Sequence, residues 1–225
     1  MKIKDLFNAY KQQISETKNV ISIFEQSGMS NDFAKLDFGF FPIGSGILTD
    51  KSEIERAELT HCDIMILGND FGTVDYVDKN CPNKREKDSN PTIKNLLGLD
   101  LNKETTFFTN LYLGLRISGK NTDPKNMLED YQNFCFTFFK KQLEIINPKI
   151  VLCLGQEVGK SLKSYSSDFP DFSKTSISKL FADDKSDFIF NVNGRKFILI
   201  PHPSYAHINW DRHNIRQKVK EAIQL

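Results

Sequence analysis

Three residues far apart in the chain, Asp70, Asn110 and His202, each stand just after or at the end of a short apolar run, and together they make a usable chemical set. A carboxylate can position a water or stabilise a developing cation, a side-chain amide can read a donor and acceptor pair on a planar ligand, and an imidazole can donate to a developing anion. Asp70 sits in Ile64-Met65-Ile66-Leu67-Gly68-Asn69-Asp70-Phe71-Gly72, where two glycines bracket the carboxylate and let backbone approach a ligand. Taken alone, that pattern is also a tight turn capped by an aspartate. Asn110 ends Phe107-Phe108-Thr109, a position often filled by a turn residue, whereas a histidine between Pro201 and Pro203 has little packing logic and points to function. His207 and His213 follow, so three of the four histidines lie between 202 and 213. Their spacing does not put them on one helix face, and no cysteine or carboxylate completes a familiar ligand pattern, so neither a metal nor another cofactor is expected.

These residues can meet only if the runs before them are neighbouring strands pointing the same way. Ile64–Leu67, Phe107–Thr109, Ile150–Leu154 and Lys196–Ile200 are short and continuously apolar or nearly so, as suits strands covered on both faces. Helical patterns separate them: Pro91 opens a helix bearing Ile93, Leu96 and Leu97, and residues 127–146 carry Met127, Leu128, Tyr131, Phe134, Phe138, Leu143 and Ile146 at helical spacing until Pro148 stops them. Gly155 precedes another helix, and a closing helix is expected from about Asp211 to Ile223. Strands alternating with helices predict a three-layer α/β/α domain whose central four-stranded sheet is mostly parallel, with its chemistry at the carboxyl ends of the strands. Asn193-Gly194 supplies the two positive-φ positions of a type I′ turn and predicts a C-terminal hairpin strand. Residues 3–24 predict one broken helix or two short ones. Residues 36–50 read as an ordered loop, 73–90 as a long surface loop, and the Ser- and Asp-rich 164–187 as a variable surface insertion. A single domain over 1–225 is expected, with 1–60 as a helical and loop extension packed on it.

Composition narrows the partners. Lys and Arg number 30 against 29 Asp and Glu, so there is no global signature of a nucleic-acid binder and any basic face is local. From residue 191 onward there are six Lys or Arg against two acidic residues, which suits phosphate contacts there or simply a solvated terminal helix. No apolar run is long enough for a bilayer and the N-terminus lacks a signal-peptide core, so a cytoplasmic protein without membrane contact is expected. Cys62, Cys81, Cys135 and Cys153 are scattered and read as mostly buried thiols.

Gly68-Asn69-Asp70-Phe71-Gly72 after one strand, Phe107-Phe108-Thr109-Asn110 ending the next, Pro148 to Gly155 before a helix, and His202-Pro203-Ser204 after the last strand are in order similar to the motifs of the uracil-DNA glycosylase superfamily. The resemblance covers roughly residues 60–215. It implies a DNA-repair hydrolase that breaks the N-glycosidic bond of a flipped uracil or another deaminated or modified base, acting on DNA as a monomer. On this resemblance Asp70 orients water or stabilises the sugar cation, Asn110 hydrogen-bonds the flipped base, and His202 stabilises charge on the base's O2. Gly68, Asn69, Phe71 and Tyr76 complete the base-binding set. Ser204, Tyr205, His207, Ile208, Arg212 and Arg216 become the DNA-facing residues, with Ile208 or Tyr205 as the wedge.

The chain departs from the family at defined points. Phe71 stands where most members have proline, Asn69 and the scattered cysteines do not fit the iron–sulfur branch, and Lys79-Asn80-Cys81-Pro82-Asn83 occupies the region that normally provides the aromatic stacker, a role Phe71 or Tyr76 could take. The pattern is that of a divergent branch. Two other functions use the same strand ends: a catalytically silent nucleic-acid-binding module, and an α/β protein for a nucleotide or another small molecule, which would lack the steep salt dependence of a DNA binder.

Overall fold

The apolar runs become strands of one sheet. The structure, a computed structural model, describes residues 3–32, 41–43, 46–48, 61–80, 90–102, 105–119, 127–173, 176–182, 188–205, 210 and 214–224. In chain order its elements are helices α1 (Ile3–Glu16) and α2 (Val20–Gln26), strands β1 (Phe41–Ile43), β2 (Gly46–Leu48) and β3 (Ile64–Gly68), helices α3 (Val74–Asn80) and α4 (Pro91–Leu97), strand β4 (Thr106–Asn110), helix α5 (Glu129–Ile146), strand β5 (Ile150–Leu154), helices α6 (Gln156–Tyr165) and α7 (Ile177–Ala182), strands β6 (Ile189–Val192) and β7 (Arg195–Ile200), a 3-10 turn at Pro203–Tyr205, and helix α8 (Ile215–Gln224).

The sheet order is β2-β1-β4-β3-β5-β7-β6. Its centre is the expected parallel set, β4, β3, β5 and β7, with Gly68 in register with Asn110 and Leu154 with Ile200. Every residue of β3 and β5 is buried, as continuous apolar runs in a doubly covered sheet require. The chain steps one way from β3 to β4 and the other way from β4 to β5 and on to β7, so right-handed crossovers put α3 and α4 on one face and α5 and α6 on the other. Side chains agree: Phe136 of α5 meets Tyr165 of α6 at 5.0 Å between ring centroids, while Arg216 of α8 reaches Asn95 of α4. The result is the three-layer α/β/α arrangement.

Local signals act where they stand. Asn90 accepts from the Thr92 N–H at 2.8 Å and so caps α4 behind Pro91, and Asn147 ends α5 in the left-handed region before Pro148. Asn193 and Gly194 take φ of 50° and 76°, the type I′ geometry that joins β6 to β7. The N-terminal segment forms two helices separated by the left-handed Asn19, and they pack on α5 through Tyr10 against Phe138 and Phe24 against Tyr131.

Three expectations need correction. Within 36–50, expected as loop, residues 41–43 and 46–48 are strands and the others lie outside the described residues: β1 and β2 pair antiparallel, and Ile43 registers with Phe107, extending the sheet beyond β4. The polar stretch after β3 is helical from Val74 to Asn80, while 81–89 lie outside the described residues. The described parts of 164–187, residues 164–173 and 176–182, are no surface insertion, because Phe169 lies 5.0 Å from Phe197, Phe172 5.6 Å from Phe190 and Phe181 4.3 Å from Phe188. Those phenylalanines cover the C-terminal hairpin, which is how a strand pair appended to a sheet keeps its apolar face dry. The closing helix begins at Ile215, and residues 211–213 lie outside the described set. Among the described residues no helix is long and apolar enough to cross a membrane. Cys62, Cys135 and Cys153 are buried free thiols, and burial pushes the first two up to about 11 and about 12.

Candidate active site

Parallel strands bring their carboxyl ends to one edge, and that edge gathers the three residues singled out by chemistry. At the β3–β4 pair, Gly68 leaves room for the Asn110 amide: a Cβ at position 68 would stand 2.1 Å from Asn110 Oδ1. At the β5–β7 pair, the Gly155 N–H donates to Ile200 at 2.8 Å, and a Cβ on Gly155 would lie 3.5 Å from that of His202. Glycine thus lets each functional side chain lie flat across the end of its neighbouring strand. Gly155 also has φ of 92°, where a side chain would be strained.

Asp70 is well shielded, its side chain 13 % exposed. The Gly72 N–H donates to its Oδ1 at 2.8 Å and the Asn69 amide donates to its Oδ2 at 2.9 Å, so both oxygens are aimed by the loop itself. Asn69 Oδ1 is buried without a hydrogen-bond partner. The return from β4 closes over this loop: Leu111 and Tyr112 donate to the Gly68 and Asn69 carbonyls, Arg116 N–H donates to Gly72 at 2.8 Å, and Val74 N–H donates back to Arg116 at 3.1 Å. Residues 115–117 are also held from the other side, because Ser30 N–H donates to Leu115 and Ile117 N–H to Gly28 at the end of α2.

That double anchoring fixes Arg116 beside the carboxylate, with Nε 3.1 Å from Asp70 Oδ1. Nε is buried and has no hydrogen-bond partner, so the contact is Coulombic. Arg116 was not among the residues marked by the sequence. It lies within the run that follows Asn110, but only the pairing of residues 72–74 with residue 116 puts it at Asp70, and no local pattern signals that pairing.

His202 is half-buried, and Ser204 decides its tautomer. The Ser204 N–H donates to Nδ1 at 3.3 Å, and the Ser204 hydroxyl lies 2.8 Å from the same nitrogen. An accepting Nδ1 puts the proton of the neutral ring on Nε2. Burial lowers the imidazole pKa below its ordinary 6.5, against the opposing pull of the Asp70 charge. The ring is therefore a neutral donor at physiological pH.

The loop carrying His202 is braced from below. Trp210, 1 % exposed, donates from Nε1 to the Pro201 carbonyl at 3.1 Å, and Asn95 of α4 donates to the Pro203 carbonyl at 3.0 Å. Arg216 is part of this brace: its Nη2 donates to Asn95 Oδ1 at 3.4 Å, its guanidinium lies 5.7 Å from the centre of the Trp210 ring, and a Cβ on Gly98 would collide with it. Arg216 was expected to face DNA, and the structure engages it in packing the loop.

Of the remaining expected residues, Phe71 is half-buried against the core and Tyr76 is held over the Asp70 loop, its ring 3.7 Å from where a Cβ on Gly72 would be, its hydroxyl accepting from Asn90 at 2.8 Å. Tyr76 keeps 36 % of its surface exposed. The backbone of Tyr205 belongs to the 3-10 turn after His202, and its side chain, with His207, Ile208 and Arg212, lies outside the described residues.

A site with an aimed carboxylate, an exposed-edge amide and a neutral imidazole donor can stabilise a cation on one side of a planar group and an anion on the other. Against models of known families, residues 58–224 match the Uracil DNA glycosylase superfamily. No curated protein matches the chain.

Proposed function

The chain belongs to the uracil DNA glycosylase superfamily, and from that premise we propose that it is a monofunctional DNA glycosylase hydrolysing the N-glycosidic bond of a flipped uracil or another deaminated or modified base. The observation that carries this reading is the pairing of strand ends: Asn110 crosses Gly68 and His202 lies against Gly155, on the same carboxyl edge of the parallel strands that Asp70 follows. Breaking the bond leaves an oxocarbenium-like sugar and an anionic base, so negative charge is needed at one and a donor at the other. Asp70, held by Gly72 and Asn69, serves the sugar or its attacking water. Nε2–H of neutral His202 donates to the departing base without a proton being lost, and the amide of Asn110 reads the base edge. Tyr76 is the stacking surface for a base taken out of the duplex. The protein needs no metal for these steps and acts as a monomer in the cytoplasm.

A gel assay on oligonucleotides carrying single uracil, hypoxanthine or xanthine residues tests the proposal, with an abasic product from at least one as the expected result. Absence of product from all three overturns it. Binding without turnover is the second reading, and the Arg116 contact favours it, since a cation 3.1 Å from Asp70 offsets the charge a sugar cation would use.

A further inference from the structure

A compensating cation beside the proposed catalytic carboxylate calls for an account. Arg116 is fixed by backbone bonds to Gly72 and Val74 on one side and by the end of α2 on the other, so it cannot leave Asp70 by a loop shift alone. Its Nε contacts Asp70, yet the side chain as a whole is 38 % exposed, and among the described residues its two Nη groups have no partner. The guanidinium thus has one edge on the carboxylate, while more than a third of the side chain stays open to solvent. A planar cation with donors on two edges can serve two anions at once.

We propose that Arg116 binds a backbone phosphate of the DNA and is shared between that phosphate and Asp70. In the free protein its charge offsets Asp70; when the phosphate is seated, the phosphate takes up that charge and leaves the carboxylate effective against the sugar cation. Turnover is thereby tied to correct seating of the strand. The inference rests on the glycosylase reading for the strand but concerns a residue outside that reading.

The test is binding, which needs no turnover, to a duplex carrying a stable abasic analogue, over a range of salt. Loss of one phosphate contact in R116Q should reduce the slope of log Kd against log salt by about 0.7 to 0.9. Because Asp70 competes for the guanidinium, D70N should bind several-fold more tightly than the wild type, and the gain should largely vanish in D70N/R116Q. An unchanged slope in R116Q, or an equal gain from D70N with and without Arg116, overturns the proposal. If R116Q does not fold, D70N alone decides it, and binding no tighter than wild type overturns the sharing. Wild-type protein that shows the Arg116-dependent slope but excises no base sinks the glycosylase reading and leaves the phosphate contact standing. Failure of the wild type to bind the duplex at all removes both.

Discussion

The sharpest test of the site is a methyl group at position 68. Gly68 does not have the positive φ that only glycine tolerates, so Gly68→Ala is compatible with the backbone and acts only through its new Cβ. That atom would stand 2.1 Å from Asn110 Oδ1 and 3.2 Å from its Cγ. Ordinary non-bonded contact is about 3.5 Å, so the amide must retreat by roughly 1 Å or more, turning away from the strand end. Misplacement of a positioning group by about 1 Å costs on the order of 100-fold in rate, whereas overpacking by one methyl costs about 1–3 kcal/mol of stability. Single-turnover excision by G68A should therefore fall about 100-fold while the fold survives urea to a slightly lower midpoint. The clash exists only while Asn110 has its amide. Hence Asn110→Ala should slow excision comparably, and G68A/N110A should be no slower and no less stable than N110A alone, a non-additivity characteristic of residues in contact. A G68A enzyme within two-fold of wild type, or a double mutant whose losses simply add, would refute the assigned geometry.

Asp70→Asn and His202→Ala are expected to abolish excision while leaving the circular-dichroism spectrum and melting cooperativity intact; activity retained in both would remove their proposed roles. NMR of the imidazole nitrogens should show His202 as the Nε2–H tautomer with a titration midpoint below 6.5, because burial disfavours its charged form. The unfolded chain takes up that proton near pH 6.5 and the folded chain only below it, so stability should decline as pH falls through 6.5, and a midpoint at or above that value would contradict the assignment. Trp210→Ala removes a nearly fully buried indole and the donor to Pro201, and should cost about 3–5 kcal/mol in urea unfolding. A loss below 1 kcal/mol would show that the His202 loop is braced elsewhere.

Much of this architecture is written locally. Ile64–Leu67 and Ile150–Leu154 read as doubly covered strands because apolar side chains on both faces leave no other place for them, and the observed strands are buried at every position. Asn90-Pro91, Asn147-Pro148 and Asn193-Gly194 set an N-cap, a helix stop and a hairpin turn through dihedral and hydrogen-bond preferences that operate within a few residues. Once the strands are parallel, Asp70, Asn110 and His202 must share an edge, which is why three residues spread over 130 positions could be grouped from type and spacing. Where the sequence pattern misled, the reason is equally physical. The Ser- and Asp-rich composition of 164–187 concealed three phenylalanines that pack on the hairpin and on Phe188 before it, and Gly and Pro within 36–50 obscured short strands that draw their order from pairing with one another and with β4.

By itself, then, the sequence determined the central parallel strands, the caps, the type I′ turn and the identity of the strand-end residues, all of which follow from preferences within one element. Only the tertiary structure decided which cation meets which partner. Arg116 stands against Asp70 because the return from β4 pairs with the loop after β3, and Arg216 lies against Asn95 and Trp210 because the first turn of α8 comes within reach of the end of α4. A guanidinium at the end of a long side chain has no preferred neighbour until packing brings one within reach, so its partner is a property of the fold.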